Sequence, residues 1–282
     1  MTALGHPYAG LTASMATKHD KVPLVAPALA DGVGMTVVAA VVDTDRLGTF
    51  TGEVERPGTP WQTAVAKAML GLERVGGRLG LASEGSIGPH PAAPVLIAAH
   101  ELIVLVDREL DIVVGEYESG MDIRTVAAEL APGDPLDSLL QRGDVPRHAV
   151  IVRPAQGSPI AVGKGLRQRD EIERWIRVAS AVSPDGRAIV ETDLRAHECP
   201  SRRPMIERAA RRLALRVAAR CPACRCPGWG VTSVQPGAPC STCDTPTRLP
   251  LAHTWGCPRC EATERLVTSA PAEPANCPWC NP

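Results

Sequence analysis

Four CxxC pairs in the last quarter of the chain constrain its fold more than any other feature. Eight of the ten cysteines lie in these pairs. A CxxC turn directs two sulfurs at one point, and two such turns supply the four thiolates that structural zinc prefers. We therefore predict two structural Zn²⁺ ions, held by Cys221, Cys224, Cys240, Cys243, Cys257, Cys260, Cys277 and Cys280.

The spacing of the pairs indicates how they combine. Fifteen residues separate Cys224 from Cys240 and sixteen separate Cys260 from Cys277, which fits two consecutive zinc ribbons. The sequence thus favours sequential pairing, in which each half of the region closes its own site. The alternative is a cross-brace, in which the first and third pairs share one ion and the second and fourth share the other.

Disulfide bonds are the competing use of these cysteines. The first residues, MTALGHPYAG, lack the basic and apolar segments of a secretory signal, so we expect a cytoplasmic protein with reduced thiols. The longest apolar runs, 94–99 and 102–106, are far shorter than the roughly 20 residues that span a bilayer. We expect no membrane segment, and metal binding is the better use of the cysteines.

Composition and patterning predict a three-part chain of 282 residues. Residues 1–200 form an α/β or α+β domain, residues 201–220 a basic linking helix, and residues 221–282 a double zinc ribbon. The last part is rich in turn residues and poor in apolar ones, so metal binding is expected to supply its folding energy.

Alternating apolar segments predict the elements of the first part. Strands are expected at 11–16 and 35–42 around a helix at 22–30, which makes a βαβ unit. Thr59 and Pro60 have the sequence of a helix start. Further strands are expected at 79–82, 101–107, 111–117, 148–153 and 188–192, and further helices from 134, at 170–182 and at 204–220.

Three polar stretches follow predicted strands, where loops are expected: residues 16–21, 43–53 and 82–91. Ligands of open α/β sheets bind at the carboxyl ends of strands. Lys18 and Lys21 stand at a strand-to-helix turn, which suits a phosphate. Carboxylates that suit Mg²⁺ are present in the other two stretches, at Asp43, Asp45, Glu53 and Glu84. The same residues are also common turn formers, so no single motif is specific.

The order of these motifs is more informative than any one of them. ATKHDK, then GE ahead of TAVAKA, then LASEGS resembles the layout of the noncanonical purine nucleoside triphosphate pyrophosphatases over residues 10–120. The resemblance implies an α/β enzyme in which lysines meet phosphates and carboxylates hold Mg²⁺ or activate water. The implied phosphate-binding residues are Lys18, His19, Lys21 and Lys67, and the implied acidic residues are Glu53 and Glu84. The chain differs from the usual family pattern at His19, where asparagine is common.

A second resemblance covers almost the whole chain. ATKH, DTDRLGTFTGE, ASEGS, ETDLRAH and the cysteine-rich tail are similar to an uncharacterised bacterial family known as a domain of unknown function, which implies no activity. Within ETDLRAH, Asp193, Arg195 and His197 offer an acid, an anion clamp and a proton carrier. Among the histidines we expect His197, before His90 or His100, to take part in catalysis.

Charge is divided unevenly along the chain. Residues 1–150 hold 11 Lys and Arg against 19 Asp and Glu, and residues 151–282 hold 19 against 12, so the halves carry about −8 and +7. The predicted helix at 204–220 carries arginines along one face, which can follow nucleic-acid phosphates or simply be solvated. Two hypotheses therefore remain: a magnesium-dependent hydrolase of a nucleotide or other phosphorylated small molecule, or a zinc-ribbon protein that binds nucleic acid or a protein.

Overall fold

A computed structural model describes residues 5–18, 20–47, 58–90, 93–157, 162–268 and 270–281. Three separate sheets and five α-helices make up a mixed α+β architecture over these ranges. Within the same ranges, no helix is both long enough and apolar enough to cross a membrane.

The first sheet contains five strands in the order β2-β1-β3-β4-β5. β1 pairs in parallel with both β2 and β3, whereas β3, β4 and β5 form an antiparallel meander. The predicted βαβ unit is present, since α1 connects β1 to the parallel β2. The bounds are β1 Thr12–Ala16, α1 Val22–Val33, β2 Thr36–Ala40, β3 Leu79–His90, β4 Ala93–Asp107 and β5 Ile112–Gly120.

Helices cover both faces of this sheet. α1 and α5 (Arg203–Ala218) pack on one face, where Leu29, Leu81 and Leu213 share one buried apolar cluster. α2 (Pro60–Val75) packs on the opposite face, where Leu72 and Leu102 belong to a second cluster. α2 begins as predicted, because Thr59 caps it and Pro60 is its first residue. α5 is therefore built into the core of the first sheet.

One predicted loop is wrong. The polar stretch at 82–91 does not leave the sheet after residue 82, because β3 continues to His90 and pairs with β4 along this length. Backbone hydrogen bonds to β4 stabilise this extension, although its Gly and Ser side chains add little strand propensity. Glu84 consequently lies on a strand, directly opposite Leu102, and not in a loop.

The second sheet contains four antiparallel strands in the order β6-β9-β7-β8. Its bounds are β6 Ala127–Leu130, α3 Asp137–Gly143, β7 Val150–Pro154, β8 Gly163–Leu166, α4 Arg169–Val182 and β9 Ala188–Thr192. Ile172 and Ile176 of α4 lie in a third apolar cluster with Val152 and Val190 of the sheet. β6 and β8 are short strands that the apolar pattern did not predict.

The third sheet is an antiparallel meander of β10 (Gly230–Pro236), β11 (Pro250–Gly256) and β12 (Thr263–Val267). Gly230, Gly256 and Thr263 mark one end of the sheet, and Pro236, Pro250 and Val267 mark the other. The four CxxC turns lie before, between and after these strands.

Candidate functional site: a buried charge cluster and two cysteine clusters

The loops that follow β1 and β2 lie together with the part of β3 around Ser83 at one edge of the first sheet. After β1, Nζ of Lys18 lies 3.2 Å from Oδ1 of Asp43, which follows β2. Nζ of Lys21 donates a hydrogen bond of 2.7 Å to Oγ of Ser83 on β3. Parallel strands direct their carboxyl ends to the same edge, and this topology accounts for the contacts.

Lys21 is buried in a cluster of charges on the face of the sheet covered by α1 and α5. Its Nζ lies 3.2 Å from Oε1 of Glu101, whose side chain is fully buried on β4. Oε2 of Glu101 accepts a hydrogen bond of 2.6 Å from Nη2 of Arg202, which is 2% exposed and immediately precedes α5. Two cations therefore contact one buried carboxylate.

Burial and pairing set the ionisation of this cluster. Burial alone would raise the pKa of Glu101, but Arg202 and Lys21 outweigh it and lower that pKa to about 2. Burial lowers the pKa of the Lys21 ammonium, and the nearby Arg202 adds to this effect against the attraction of Glu101. Glu101 is consequently ionised at neutral pH, while Lys21 releases its proton more readily than an exposed lysine.

Gly85 is required for the packing of this cluster. A Cβ atom at this position would overlap the guanidinium of Arg202 and the carboxylate of Glu101. Arg202 also donates a hydrogen bond of 2.7 Å from Nη1 to the carbonyl oxygen of Leu194. The arginine thereby connects β4 of the first sheet to the segment that follows β9 of the second.

A second buried ion pair lies on the opposite face of β3. Lys67 of α2 donates a hydrogen bond to the carboxylate of Glu84, which is 4% exposed. Glu84 neighbours Ser83 in sequence, so Lys21 and Lys67 approach β3 from its two faces. Among the described residues, β1 pairs with β3 only as far as Leu81, and Ser83 and Glu84 therefore lie just beyond the end of β1.

The ETDLRAH segment begins at the end of β9 and continues beyond the second sheet. Arg195 donates from Nε, at 2.9 Å, and from Nη2, at 2.5 Å, to the buried carboxylate of Asp193. The same carboxylate accepts a hydrogen bond from the backbone of Gly165 on β8. Nε2 of His197 lies 3.4 Å from Oε1 of Glu198. The Asp193 carboxylate thereby connects Arg195 to β8, whereas the His197 contact is with its neighbour in sequence.

The arginine-rich face of α5 packs against carboxylates of β5. Nε of Arg208 lies 2.8 Å from Oε1 of Glu118, and Nη1 of Arg216 lies 2.9 Å from Oε1 of Glu116. Arg212 lies 3.7 Å from both carboxylates. Arg216 also donates to the carbonyl oxygens of Gly228 and Val231, which tie α5 to the start of the third sheet.

The eight cysteines of the CxxC turns form two clusters of four. One contains Cys221, Cys224, Cys257 and Cys260, and the other contains Cys240, Cys243, Cys277 and Cys280. Within each cluster the four Sγ atoms lie within 4.8 Å of one another. The prediction of sequential pairing is therefore wrong, and the structure shows the cross-braced alternative.

The strands between the turns explain this pairing. β10 carries the chain from the first turn to the far end of the third sheet, and β11 returns it. β12 then carries it to the far end again. The first and third CxxC turns therefore meet at one end of the sheet, and the second and fourth meet at the other. The linkers of fifteen and sixteen residues that follow Cys224 and Cys260 each contain one strand, so each ends at the opposite end of the sheet from where it began. Sequential pairing would require linkers that return to the same end.

The chemistry of both clusters suits a divalent metal. Hydrogen bonding with Thr245 lowers the pKa of the Cys243 thiol to about 6. Hydrogen bonding with Cys243 raises the pKa of Cys280 to about 12, as expected when crowded sulfurs resist simultaneous ionisation. Backbone amides of Trp279 and Cys280 donate to the sulfur of Cys277 at 3.4 Å. Each group of four cysteines could hold one metal ion, whose charge would permit four thiolates.

The two remaining cysteines lie outside these clusters. Cys226 is buried in the apolar cluster of the first sheet, and its Sγ lies 3.5 Å from the carbonyl oxygen of Pro227. Burial raises its pKa to about 11. Cys199 is also buried, 3.6 Å from Oγ of Ser201. Both behave as small apolar side chains.

The predicted site residues are distributed over several environments. Lys18, Lys21, Lys67 and Glu84 lie around the edge of the first sheet, and Arg195 and His197 lie near the second sheet. His19 and Glu53 lie outside the described residues. Sequence reasoning missed Ser83, Glu101 and Arg202. Of these three, only Glu101 could have been noticed in the sequence, because it is a charged residue on the same face of an apolar strand as Ile103 and Leu105.

Comparison with known proteins gives a family but no activity. No curated protein matches the chain. Residues 67–282 match a family described as a domain of unknown function, DUF6671. The matched part includes Lys67, Glu84, Glu101 and Arg202 together with the eight clustered cysteines, and it begins after α1. Since this match covers well over half of the sequence, the chain belongs to the DUF6671 family.

Proposed function

We propose that the edge of the first sheet binds a nucleotide or another phosphorylated small molecule and hydrolyses it with the help of Mg²⁺. The observation that carries this proposal is the buried Lys21, hydrogen-bonded to Ser83 and Glu101 beside the Lys67–Glu84 pair. Lysines and carboxylates that converge at strand ends are the groups that a magnesium–phosphate ligand requires.

The residues of this site fall into two groups: those that would contact the phosphate, and those that position the first group. Lys21 and Lys67 supply positive charge to phosphate oxygens from the two faces of β3. Glu101 and Arg202 fix the position of Lys21, because their mutual pairing is fully buried. Glu84 accepts from Lys67 and orients it, and its carboxylate is the group that would receive a proton from an attacking water. By the resemblance, Glu53 would add a second carboxylate.

Carboxylate oxygens at this edge fit Mg²⁺. Asp43 lies beside Lys18 on the open side of the edge, with 59% of its side chain exposed, and Glu84 lies on the buried side. Asp43 would hold the ion together with phosphate oxygens of the substrate, and Glu84 would remain the proton acceptor. Bound Mg²⁺ supplies charge that neutralises the phosphate oxygens.

Nucleic-acid binding through α5 receives less support from the same structure. Arg208 and Arg216 are paired with Glu118 and Glu116, and Arg212 lies near both carboxylates. Binding a phosphate backbone would require breaking these contacts, which lowers the net electrostatic gain. The enzyme proposal is therefore preferred.

A substrate screen with one pair of matched variants tests the enzyme proposal. The full chain is incubated with Mg²⁺ and a panel of nucleoside triphosphates and sugar phosphates, and released phosphate and pyrophosphate are measured. Glu84→Gln should lower kcat/KM by at least ~100-fold, the effect typical of losing a general base. Glu129→Gln, in a surface pair with Arg187 on the second sheet, should not change it. Hydrolysis of no substrate, or a Glu84→Gln variant as active as the unaltered chain, would sink the proposal.

We further propose that both cysteine clusters hold Zn²⁺, in the manner of a double zinc ribbon with crossed pairing. Four thiolates in a compact group are the ligand set that structural zinc prefers. Elemental analysis of the purified protein should give two zinc ions per chain. A zinc-free protein with oxidised cysteine pairs would contradict this proposal.

A further inference from the structure

A buried histidine that belongs to neither site described above links three segments of the chain. His148, 2% exposed, lies just before β7. Its Nδ1 lies 3.1 Å from Oδ2 of Asp144, which follows α3. Its Nε2 lies 3.0 Å from Oγ of Ser201, which lies in the 3₁₀ turn ahead of α5. The order serine–imidazole–carboxylate is the arrangement that activates a serine hydroxyl.

The backbone around this group determines its protonation. The amide of Ser201 lies 3.2 Å from Nε2 of His148, and an amide can only donate, so Nε2 carries a lone pair. The remaining proton is on Nδ1 and points to Asp144. The amide of Arg124 donates a hydrogen bond of 3.1 Å to Oγ of Ser201, which leaves the hydroxyl proton available for Nε2. This tautomer is the one required of a general base.

Burial keeps the imidazole neutral. Burial lowers the pKa of His148; Asp144 opposes this effect, whereas Arg147 and Arg124 add to it. A neutral imidazole at physiological pH can accept a proton from the serine.

The three residues line a polar cavity of about 530 Å³. The remaining lining residues include Asp122 and the two arginines, Arg124 and Arg147. The guanidinium of Arg147 is largely exposed, so a ligand in the cavity can reach it. A cavity of this size and polarity suits a small polar molecule, and its arginines can stabilise negative charge that develops on a carbonyl oxygen.

We infer that Ser201, His148 and Asp144 form a nucleophile, general base and orienting acid that hydrolyse small polar carboxylic esters in this cavity. Oγ of Ser201 bonds to the ester carbonyl carbon, and its proton passes to Nε2 of His148. The bond from carbon to the alcohol oxygen breaks, and the alcohol leaves with the proton from Nε2. Water then attacks the acyl-serine, gives its proton to His148, and releases the carboxylic acid as the proton returns to Oγ.

Labelling the full chain with a fluorophosphonate tests the nucleophile. The reagent phosphonylates activated serines, and mass spectrometry should locate the adduct on Ser201. His148→Gln, which keeps hydrogen-bonding groups near both neighbours, should slow labelling by at least ~100-fold because the general base is lost. Hydrolysis of p-nitrophenyl acetate should fall in parallel in this variant and in Ser201→Ala.

A second serine–histidine contact provides a matched control. Oγ of Ser119 lies 2.7 Å from Nδ1 of His100, and within the described residues no carboxylate is hydrogen-bonded to that imidazole. Ser119 should remain unlabelled, and Ser119→Ala should hydrolyse the ester as fast as the unaltered chain. Absence of an adduct at Ser201, or equal labelling at Ser119, would show that the network only joins the three segments. The adduct map of the unaltered chain decides the question even if Ser201→Ala fails to fold.

Discussion

The first and third sheets of this protein each contain a three-stranded antiparallel meander, yet they are stabilised in opposite ways. In the first sheet, helices cover both faces, and central strands such as β1 and β4 are largely buried. In the third sheet, β12 is exposed at every residue and β10 at most of its residues. Apolar burial can hold the first sheet together, whereas the third has too little of it and depends on the cysteine clusters at its ends.

The two cysteine clusters also differ from each other. Cys221 is part of the apolar cluster of the first sheet, where Cys226 and Trp229 pack beside it. The cluster of Cys243 lies at the opposite end of the third sheet. The inner cluster, defined by Cys221, Cys224, Cys257 and Cys260, therefore links the third sheet to the main core. The outer cluster, defined by the other four cysteines, supports only the end of the third sheet.

Loss of metal should have the largest effect on stability. Structural zinc sites contribute apparent free energies of about 10–16 kcal/mol, far more than the exposed strands of the third sheet can replace. A chelator that removes both ions should abolish amide protection in β10–β12 and leave β3 and β4 protected. Hydrogen exchange followed by mass spectrometry measures both regions in one experiment. Protection that persists in β10–β12 after metal loss would mean that the third sheet, like the first, is stable without its cysteine clusters.

Two single variants sharpen the same experiment. Cys224 and Cys243 are both exposed, so replacing either with serine removes a ligand without creating a core cavity. Cys243→Ser should increase exchange only at the outer end of the third sheet. Cys224→Ser should increase exchange at the inner end of the third sheet and, in addition, in α5, because the inner cluster packs against this helix. Equal exchange patterns would mean that the two clusters are not separate units.

The sequence predicted which eight cysteines form the clusters but not how they pair, and the reason is geometric. The choice of these eight cysteines follows from local spacing, since each CxxC turn is complete within four residues. Pairing depends on where the chain goes between turns, and the weak strands β10 and β12 have no apolar face that reveals them. Long-range partners in the first sheet were hidden in the same way: Arg202 reaches Glu101 across 101 positions, and no local pattern marks it.

At the candidate phosphate site, the sequence predicted the strand topology better than the side-chain contacts. The apolar runs of β1 and β2 with the intervening helix predicted a parallel unit, and this unit brings Lys18 near Asp43. The end of β3 was predicted too early, because glycine and serine do not look like strand residues even when a long partner such as β4 pairs with them. Glu53 stays a prediction, since it lies outside the described residues.

Glu101→Gln should have the next largest effect. The change leaves Lys21 and Arg202 buried without their shared anion, and breaking a buried pair in this way costs about 3–5 kcal/mol. The folded-state pKa of Glu101 is lowered to about 2, so its contribution is complete above the pKa of the unfolded chain, near 4.5, and is lost as the pH falls toward 2. Urea unfolding should show the variant's deficit at neutral pH and a shrinking deficit below pH ~4.5. A loss of stability that does not change with pH would mean that the ionisation of Glu101 is not its cause.

Glu118→Gln should have the smallest effect, although it makes the same chemical change at a neighbouring position. Glu118 lies directly opposite Glu101 in the β4–β5 register, and it too pairs with an arginine, Arg208, at 2.8 Å. The Arg208 side chain is 35% exposed, so water and salt screen the pair far more than they screen Arg202 and Glu101. The expected loss is about 0.2–1 kcal/mol, and it should diminish at 1 M salt. Urea unfolding of both variants at low and high salt measures this difference, and equal losses would show that burial does not distinguish the two carboxylates.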